Sequence, residues 1–376
     1  MGAHLRVGLI GAGSARKWSS RAHIPALQAV PGIEIVAVAG RNEESAREAA
    51  ERCGARLTFT DGRELARHPG VDLVCIVVKV PEHRDLVAAA LESGKHVFCE
   101  WPLGKNLDEG LELATLAAEK RVIHMIGLQA RQSPGLLYAK DLIHDGVVGR
   151  VLSCDLFQGS DQRGGASVLA GAVWSTDRRQ GRTLLTIQGG HSLDALAFCL
   201  GSDVDNVASV IATRTPSATV VETGEVIAVD TPDQVIVAAV LENSVPVSVH
   251  MQGGAPSKTG FRLDIHGDLA ALTVQGASGV NNSDLKATLS KPGEPPEDLP
   301  IPVRYVESTI GDVPANPVGN VARAYAHLVE AITSGNQVVP SFETAAGVHR
   351  LLETVQQASD RGRRLTVASI DSASDH

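Results

Sequence analysis

Through its first 130 residues the chain alternates short apolar runs with longer helix-patterned ones, and this alternation restricts its fold more than any other feature. "LRVGLIG", "IEIVAVAG", "VDLVCIVVK", "HVFCE" and "VIHMIGLQ" read as strands, while "AHIPALQAV", "EESAREAAERCG", "HRDLVAAALESGK" and "LDEGLELATLAAEKR" read as the helices between them. Strands apolar along their whole length need cover on both faces, and an intervening helix carries the chain back for parallel pairing. The pattern predicts an α/β fold that opens with a doubly wound dinucleotide-type domain over residues 1–130. From about residue 151 apolar and polar positions alternate instead, in "RVLSCDLFQG", "NVASVIATRT", "DQVIVAAVLE", "VPVSVHMQG", "RLDIHG" and "AALTVQG". These predict antiparallel strands with one covered and one more open face, in a second domain over residues 131–368. "GGHSLDALAFCLG" reads as a helix among them, two more helices close the chain, and the polar residues 369–376 read as a disordered tail.

Composition narrows the function. The net charge of −9 is spread without a long acidic or basic run, so no nucleic-acid surface is expected. No apolar stretch approaches the ~18 residues of a membrane span and no charged, cleavable leader opens the chain, so a cytoplasmic protein without a membrane partner is expected. Five scattered cysteines without a CxxC pair read as reduced, buried thiols. The thirteen histidines show no HxH or HExxH spacing, and no metal site is predicted.

The chemistry starts at "VGLIGAGSARKWSSRAHIPAL". Gly11 allows a tight turn after the first strand, and Gly13 lets backbone approach a pyrophosphate lying on a helix N-terminus. Arg16 stands where a third glycine is usual, and extra residues including Trp18 and Arg21 lengthen the turn; Ser14, Arg16 and Trp18 join the glycines as cofactor-binding candidates. The second strand ends "VAGRN", where an acid would take the ribose hydroxyls of NAD. Arg41 with Asn42 suits the extra phosphate of NADP, which is the expected cofactor with NAD as the alternative; a solvated loop is the other reading of Arg41. Lys79, Pro81 and His83 follow the strand "VDLVCIVVK" at the sheet edge where ligands bind, and Gln129 and Arg131 follow the last strand of the series. Gln129 is assigned to the cofactor and Arg131 to the substrate.

The series "GLIGAG", "HIPAL", "ALESGKHVFCEWPL" and "GGHSLDAL" resembles the glucose-fructose oxidoreductase, inositol dehydrogenase and MocA family over nearly the whole chain. Within it, "CEWPL", the long turn "SARKWSSRAHIPAL" and "LQARQSPGLLYAKDLI" resemble the branch of the fungal galactose-pathway repressor. The resemblance implies an N-terminal Rossmann domain and a C-terminal α+β domain built on a large open antiparallel sheet, often the face of a dimer or tetramer. It also implies a sugar or polyol substrate and a Glu-Lys-Pro loop whose lysine moves the hydroxyl proton. Here Glu100 keeps its place on the cofactor side, but Trp101 replaces the lysine, and Ile187 replaces an aspartate four residues before the matching His191.

An indole does not titrate usefully, so two of three expected catalytic groups are missing. His191 remains a candidate base, with Asp194 three residues on to orient it or to bind a hydroxyl; a locally satisfied helix-start pair is the alternative. Trp101 could stack on a sugar or nicotinamide ring, or merely fill the space of the lysine. Trp174, in "GAVWSTDRRQG", could cover the pocket or serve only in packing, and Lys105 reads as a surface charge. The chain is therefore expected to be an NAD(P)-dependent oxidoreductase with a weakened or reassigned site, the alternative being a catalytically silent dinucleotide-binding regulator.

Overall fold

The all-apolar run Val7–Ile10 is buried on both faces, and it sits where such a strand must, inside a sheet. The computed structural model describes residues 4–13, 18–161, 164–254, 260–306 and 316–368; the polar tail predicted from residue 369 lies outside them. The chain divides into two compact units, Met1–Gln132 with Val306–Ala346, and Ser133–Tyr305 with Gly347–His376.

In the first unit, β1 (Leu5–Ile10), β2 (Ile33–Ala39), β3 (Leu57–Phe59), β4 (Leu73–Ile76), β5 (His96–Glu100) and β6 (His124–Gly127) form one parallel sheet in the order β3-β2-β1-β4-β5-β6. Helices α1 (Ile24–Ala29), α2 (Glu43–Cys53), α3 (Gly62–Arg67), α4 (His83–Glu92) and α5 (Leu107–Lys120) make the crossovers. Their ends are encoded locally. Asn42 accepts from Ser45 N at 2.9 Å and Ser45 Oγ takes the Asn42 N–H, a capping box that starts α2; Gly54, at φ 76°, ends it. Asn106 caps α5, its side chain accepting from Glu109 N at 3.0 Å.

The second unit begins with α6 (Pro134–His144), β7 (Val151–Ser160) and the short β8 (Ser167–Val168), then α7 (Gly190–Leu200). It continues through β9 (Val204–Ala212), β10 (Ser217–Val220), β11 (Val226–Ala228), β12 (Gln234–Leu241) and β13 (Pro246–Gly253). The strands β14 (Gly260–Gly267), β15 (Ala271–Gly276), β16 (Lys286–Ser290) and β17 (Glu297–Leu299) follow. A nine-stranded sheet runs β17-β16-β15-β14-β7-β13-β12-β9-β18, closed at its far edge by β18 (Leu365–Thr366). Its neighbours pair antiparallel except β7 with β13, which is parallel, so the sheet is mixed. The alternating pattern that predicted these strands reports which face is covered, not strand direction. β8, β10 and β11 form a separate small sheet.

Among the described residues three helices follow β17: the short α8 (Val303–Val306), α9 (Val318–Ser334) and α10 (Phe342–Arg361), which the division crosses after Ala346. A single boundary near residue 130 would leave all of this stretch in the second domain. In the structure Val306–Ala346 packs with the first unit, because the apolar stripe of α9 (Val321, Ala322, Tyr325, Leu328 and Ala331) joins the core formed by Val7, Leu9, Leu27, Cys75 and Phe98.

Candidate functional site

At the end of β1 the chain turns at Gly11, with φ at 94°. A Cβ built there would lie 2.1 Å from the Val77 carbonyl oxygen, so no residue but glycine fits between β1 and β4. The turn is fastened by side chains. Ser19 Oγ donates to Gly11 O at 2.9 Å and Ser20 Oγ to Gly13 O at 3.2 Å, both from the π-helical turn Ser19–His23 that leads into α1. Arg52 of α2 also donates its guanidinium to Gly13 O. A bare glycine backbone held in this way suits the approach of a pyrophosphate. Two of the predicted residues, Ser14 and Arg16, lie outside the described residues. Arg41 is exposed at the end of β2, whereas Asn42 spends its side chain on the α2 cap.

Glu100, the last residue of β5, gathers the next set. Its Oε2 accepts from Trp18 Nε1 at 3.0 Å and its Oε1 from Gln129 Nε2 at 2.6 Å. His23 Nε2 stands 3.1 Å from Oε1, near enough to feel the carboxylate although not aligned as a hydrogen bond. The other nitrogen of that ring, Nδ1, is 2.6 Å from the Tyr325 hydroxyl of α9. His23 is fully buried, packed edge-on to Trp18, Phe98 and Tyr325. Burial pushes the Tyr325 hydroxyl well above its ordinary range, and the thiol of Cys75 beside it up to about 12, so both remain protonated. Three sequence-predicted residues, Trp18, Glu100 and Gln129, are thus brought together, with Glu100 14% exposed at their centre.

The loop after Glu100 answers the question its tryptophan raises. The Trp101 side chain is withdrawn from solvent (4% exposed), which leaves no open face for stacking and supports the reading as a filler of the lysine's space. His83, expected to touch the cofactor, is buried beneath this loop: its Nδ1 lies 2.8 Å from Pro102 O and its Nε2 3.3 Å from Val78 O. A neutral imidazole donates only one proton, and burial holds the His83 pKa below the ordinary histidine value, so the ring serves to pin the loop. Lys79 is exposed at the edge of β4, with Pro81 and Arg131 partly buried. Lys105 pairs with Glu109 at 3.0 Å, a surface charge as expected.

In the second unit His191 and Asp194 are both buried near the start of α7. His191 Nε2 lies 3.3 Å from Asn281 Nδ2, from the loop after β15. With the amide nitrogen as donor, the imidazole carries its lone pair on Nε2. Ile187 falls in the π-helical turn Leu185–Gly189 that precedes α7, and such single turns recur at functional sites. Trp174 sits on a 3₁₀ segment, Ala170–Thr176, with the Arg182 guanidinium carbon 5.6 Å from its ring centre. Among the described residues no group of three or more His, Cys, Asp or Glu is placed to hold a metal ion, and no helix is long and apolar enough to cross a membrane.

Sequence reasoning passed over His23, Tyr325, Arg52, Asn281 and Arg182. Only His23 carried a local signal, as part of "HIPAL". Tyr325 is 302 residues from its partner, a separation that no motif spans.

Residues 5–128 match the model of the oxidoreductase family with an NAD-binding Rossmann fold, and residues 134–276 match that of the Gal80p C-terminal domain. The chain is similar to the galactose/lactose metabolism regulatory protein GAL80 of Kluyveromyces lactis, 27% identical over 294 residues, 73% of this chain and 64% of that longer protein. It is also similar to dehydrogenase aclE of Aspergillus oryzae, 34% identical over 253 residues, 65% of this chain and 68% of the relative. Among solved structures, levoglucosan dehydrogenase in complex with NADH and L-sorbose superposes with a TM-score of 0.85 over 98% of this chain and 100% of its own, at 22% identity, which speaks to the fold. The fold, the fastened glycine turn and these matches place the chain in the glucose-fructose oxidoreductase, inositol dehydrogenase and MocA family, the oxidoreductases with an NAD-binding Rossmann domain.

Proposed function

We propose that this protein binds a nicotinamide dinucleotide, NADP(H) with NAD(H) as the alternative, together with a sugar- or polyol-like ligand, and oxidises or reduces that ligand with His191 moving the hydroxyl proton. The observation that carries the reading is the pairing of a glycine turn that admits no Cβ with the clamped carboxylate of Glu100 on the same sheet edge. When bound, the dinucleotide supplies a hydride donor or acceptor. Gly11 and Gly13 give it backbone to lie against, Trp18 and Gln129 fix Glu100, and Arg41 favours the extra phosphate. His191, buried with Nε2 3.3 Å from the Asn281 amide nitrogen, is the candidate base, and Asp194 follows it by three residues on the same helix face. The NADH in the levoglucosan dehydrogenase structure supports a dinucleotide cofactor in this fold. Val210 and Ile236, 62% and 50% exposed on the sheet, support assembly of copies through that face. A cytoplasmic location accords with the buried, reduced thiols.

A second reading, a dinucleotide-binding regulator without turnover, is favoured by one observation: Trp101, which the family resemblance aligns with the proton-transferring lysine, is buried. Loss of such a group slows turnover by ~10²- to 10⁴-fold. The test is to mix the purified protein with NADPH or NADH and to screen sugars, keto-sugars and lactones at the reduced-nicotinamide absorbance. Slow turnover that rises in the Trp101→Lys, Ile187→Asp double variant supports the enzyme. Tight cofactor binding with no turnover on any compound, in either form, favours the regulator.

A further inference from the structure

The loop that leads into the His191 helix carries the basic run Arg178, Arg179 and Arg182 and two acids facing it, and those acids are engaged. Asp177 accepts from Arg179 Nε at 2.9 Å and Nη2 at 3.0 Å, from Arg179 N at 3.0 Å and from Gln180 Nε2 at 3.3 Å. Asp230 accepts from the Arg178 backbone N–H at 2.7 Å. Arg182 stands apart. It follows Gly181, a left-handed turn at φ 73°, and precedes Thr183, whose N–H and hydroxyl are locked to Thr186 at 2.7 and 3.2 Å. Its guanidinium lies over the indole of Trp174, and among the described residues it makes no hydrogen bond and meets no carboxylate.

This cation is partly buried, yet none of its nitrogens is among the sealed polar atoms, so its donors face reachable space. Burial lowers its pKa from the ordinary guanidinium value, with no acid opposing the shift. Holding a charge in a partly dry place without a counter-charge is costly, and a chain with nine more acids than bases had carboxylates to offer. A planar fork of donors backed by an aromatic face matches one class of group, an oxyanion that accepts two parallel N–H bonds.

We propose that Arg182, backed by Trp174, binds a carboxylate or phosphate carried by the sugar-like ligand, so that the protein acts on acidic rather than neutral sugars. The proposal deepens the reading of a sugar- or polyol-like ligand and rests on it for the carbon frame that carries the oxyanion. Titration calorimetry of the full chain with D-galacturonate, D-galactose 6-phosphate and neutral D-galactose, without dinucleotide, tests it; a separate NADPH titration tests the cofactor reading independently. The wild type is expected to bind at least one acidic sugar tenfold or more tightly than galactose, and which one it prefers identifies carboxylate or phosphate. Arg182→Gln is expected to erase that preference, and Arg182→Lys to keep part of it, since an ammonium retains charge but not the fork. NADPH affinity and thermal unfolding stay unchanged in both variants. Equal binding of acidic and neutral sugars, no sugar binding at all, a preference that survives Arg182→Gln, or a parallel loss of NADPH affinity would each overturn the proposal. Acidic-sugar binding that depends on Arg182 in a protein that ignores NADPH would uphold it while removing the cofactor reading.

Discussion

Replacing Glu100 by glutamine changes one oxygen to an amide and should be felt throughout the cluster around it. Two N–H groups, from Trp18 and Gln129, now converge on opposite oxygens of a carboxylate 14% exposed. A glutamine there offers one oxygen and one NH₂, so with Trp18 Nε1 and Gln129 Nε2 held as they stand one of them faces another donor in either orientation. A hydrogen bond to a charged group contributes about 1.5–3 kcal/mol, and a buried donor left unmet costs about 1–3 kcal/mol. The expected loss is about 2 kcal/mol for Glu100→Gln, which for a unit of this size lowers its Tm by roughly 4–8 °C. Trp18 and Trp101 belong to the first unit and Trp174 to the second, so fluorescence-monitored denaturation in a Trp174→Phe background follows the first unit alone. In a double-mutant cycle, Trp18→Phe removes the donor that would be stranded, and Glu100→Gln should then cost about 1–2 kcal/mol less than it does alone. A loss under about 0.5 kcal/mol, or strict additivity with Trp18→Phe, would refute the clamp.

Gly11→Ala must place its methyl against the Val77 carbonyl at a φ that alanine rarely adopts; it is expected to lower stability by about 2–4 kcal/mol and to abolish NADPH binding, read by denaturant melts and fluorescence titration. His83, His96, His124 and His327 all have pKa values lowered by burial. Each therefore binds its proton more readily in the unfolded chain, so its stabilising share is whole above pH ~6.5 and is lost as pH falls toward the folded values. His83→Gln should flatten the decline between about pH 6.5 and 5, and an unchanged slope would show that His83 charges freely in the native state. Burial raises the thiol pKa of Cys75, Cys154 and Cys199 to about 12 and that of Cys99 upward. A native thiol assay should accordingly read no more than Cys53, the one partly exposed cysteine, and five after denaturation.

The parallel sheet was legible because its strands are apolar along their length and its crossover helices are punctuated by their own caps; Gly11 and Glu100 were legible because each ends a strand at the edge where ligands bind. What escaped the reading was held by distance or by symmetry of pattern. The stripe of α9 announces that Val321, Tyr325 and Leu328 will be buried, but amphipathicity names no partner, and the first unit claimed it. β7 and β13 alternate like their antiparallel neighbours, so their parallel pairing left no trace in hydropathy. Asn42 was read for its place after the second strand in "VAGRN", and the capping box it makes with Ser45 at the start of α2 went unread. Trp101 and Ile187 stood out against the motif that the family resemblance implies, whereas the withdrawal of the indole needed coordinates.

The contribution of α9 also bears on how the protein is made. The segment that completes the glycine-turn unit leaves the ribosome about 190 residues after Gln132, a delay of roughly 10–40 s at ordinary elongation rates. Until Tyr325 arrives, the nascent N-terminal sheet carries an uncovered apolar face and a histidine without its phenol. A chain truncated after residue 132 should therefore need chaperone protection or aggregate, and the first unit is complete only late in synthesis.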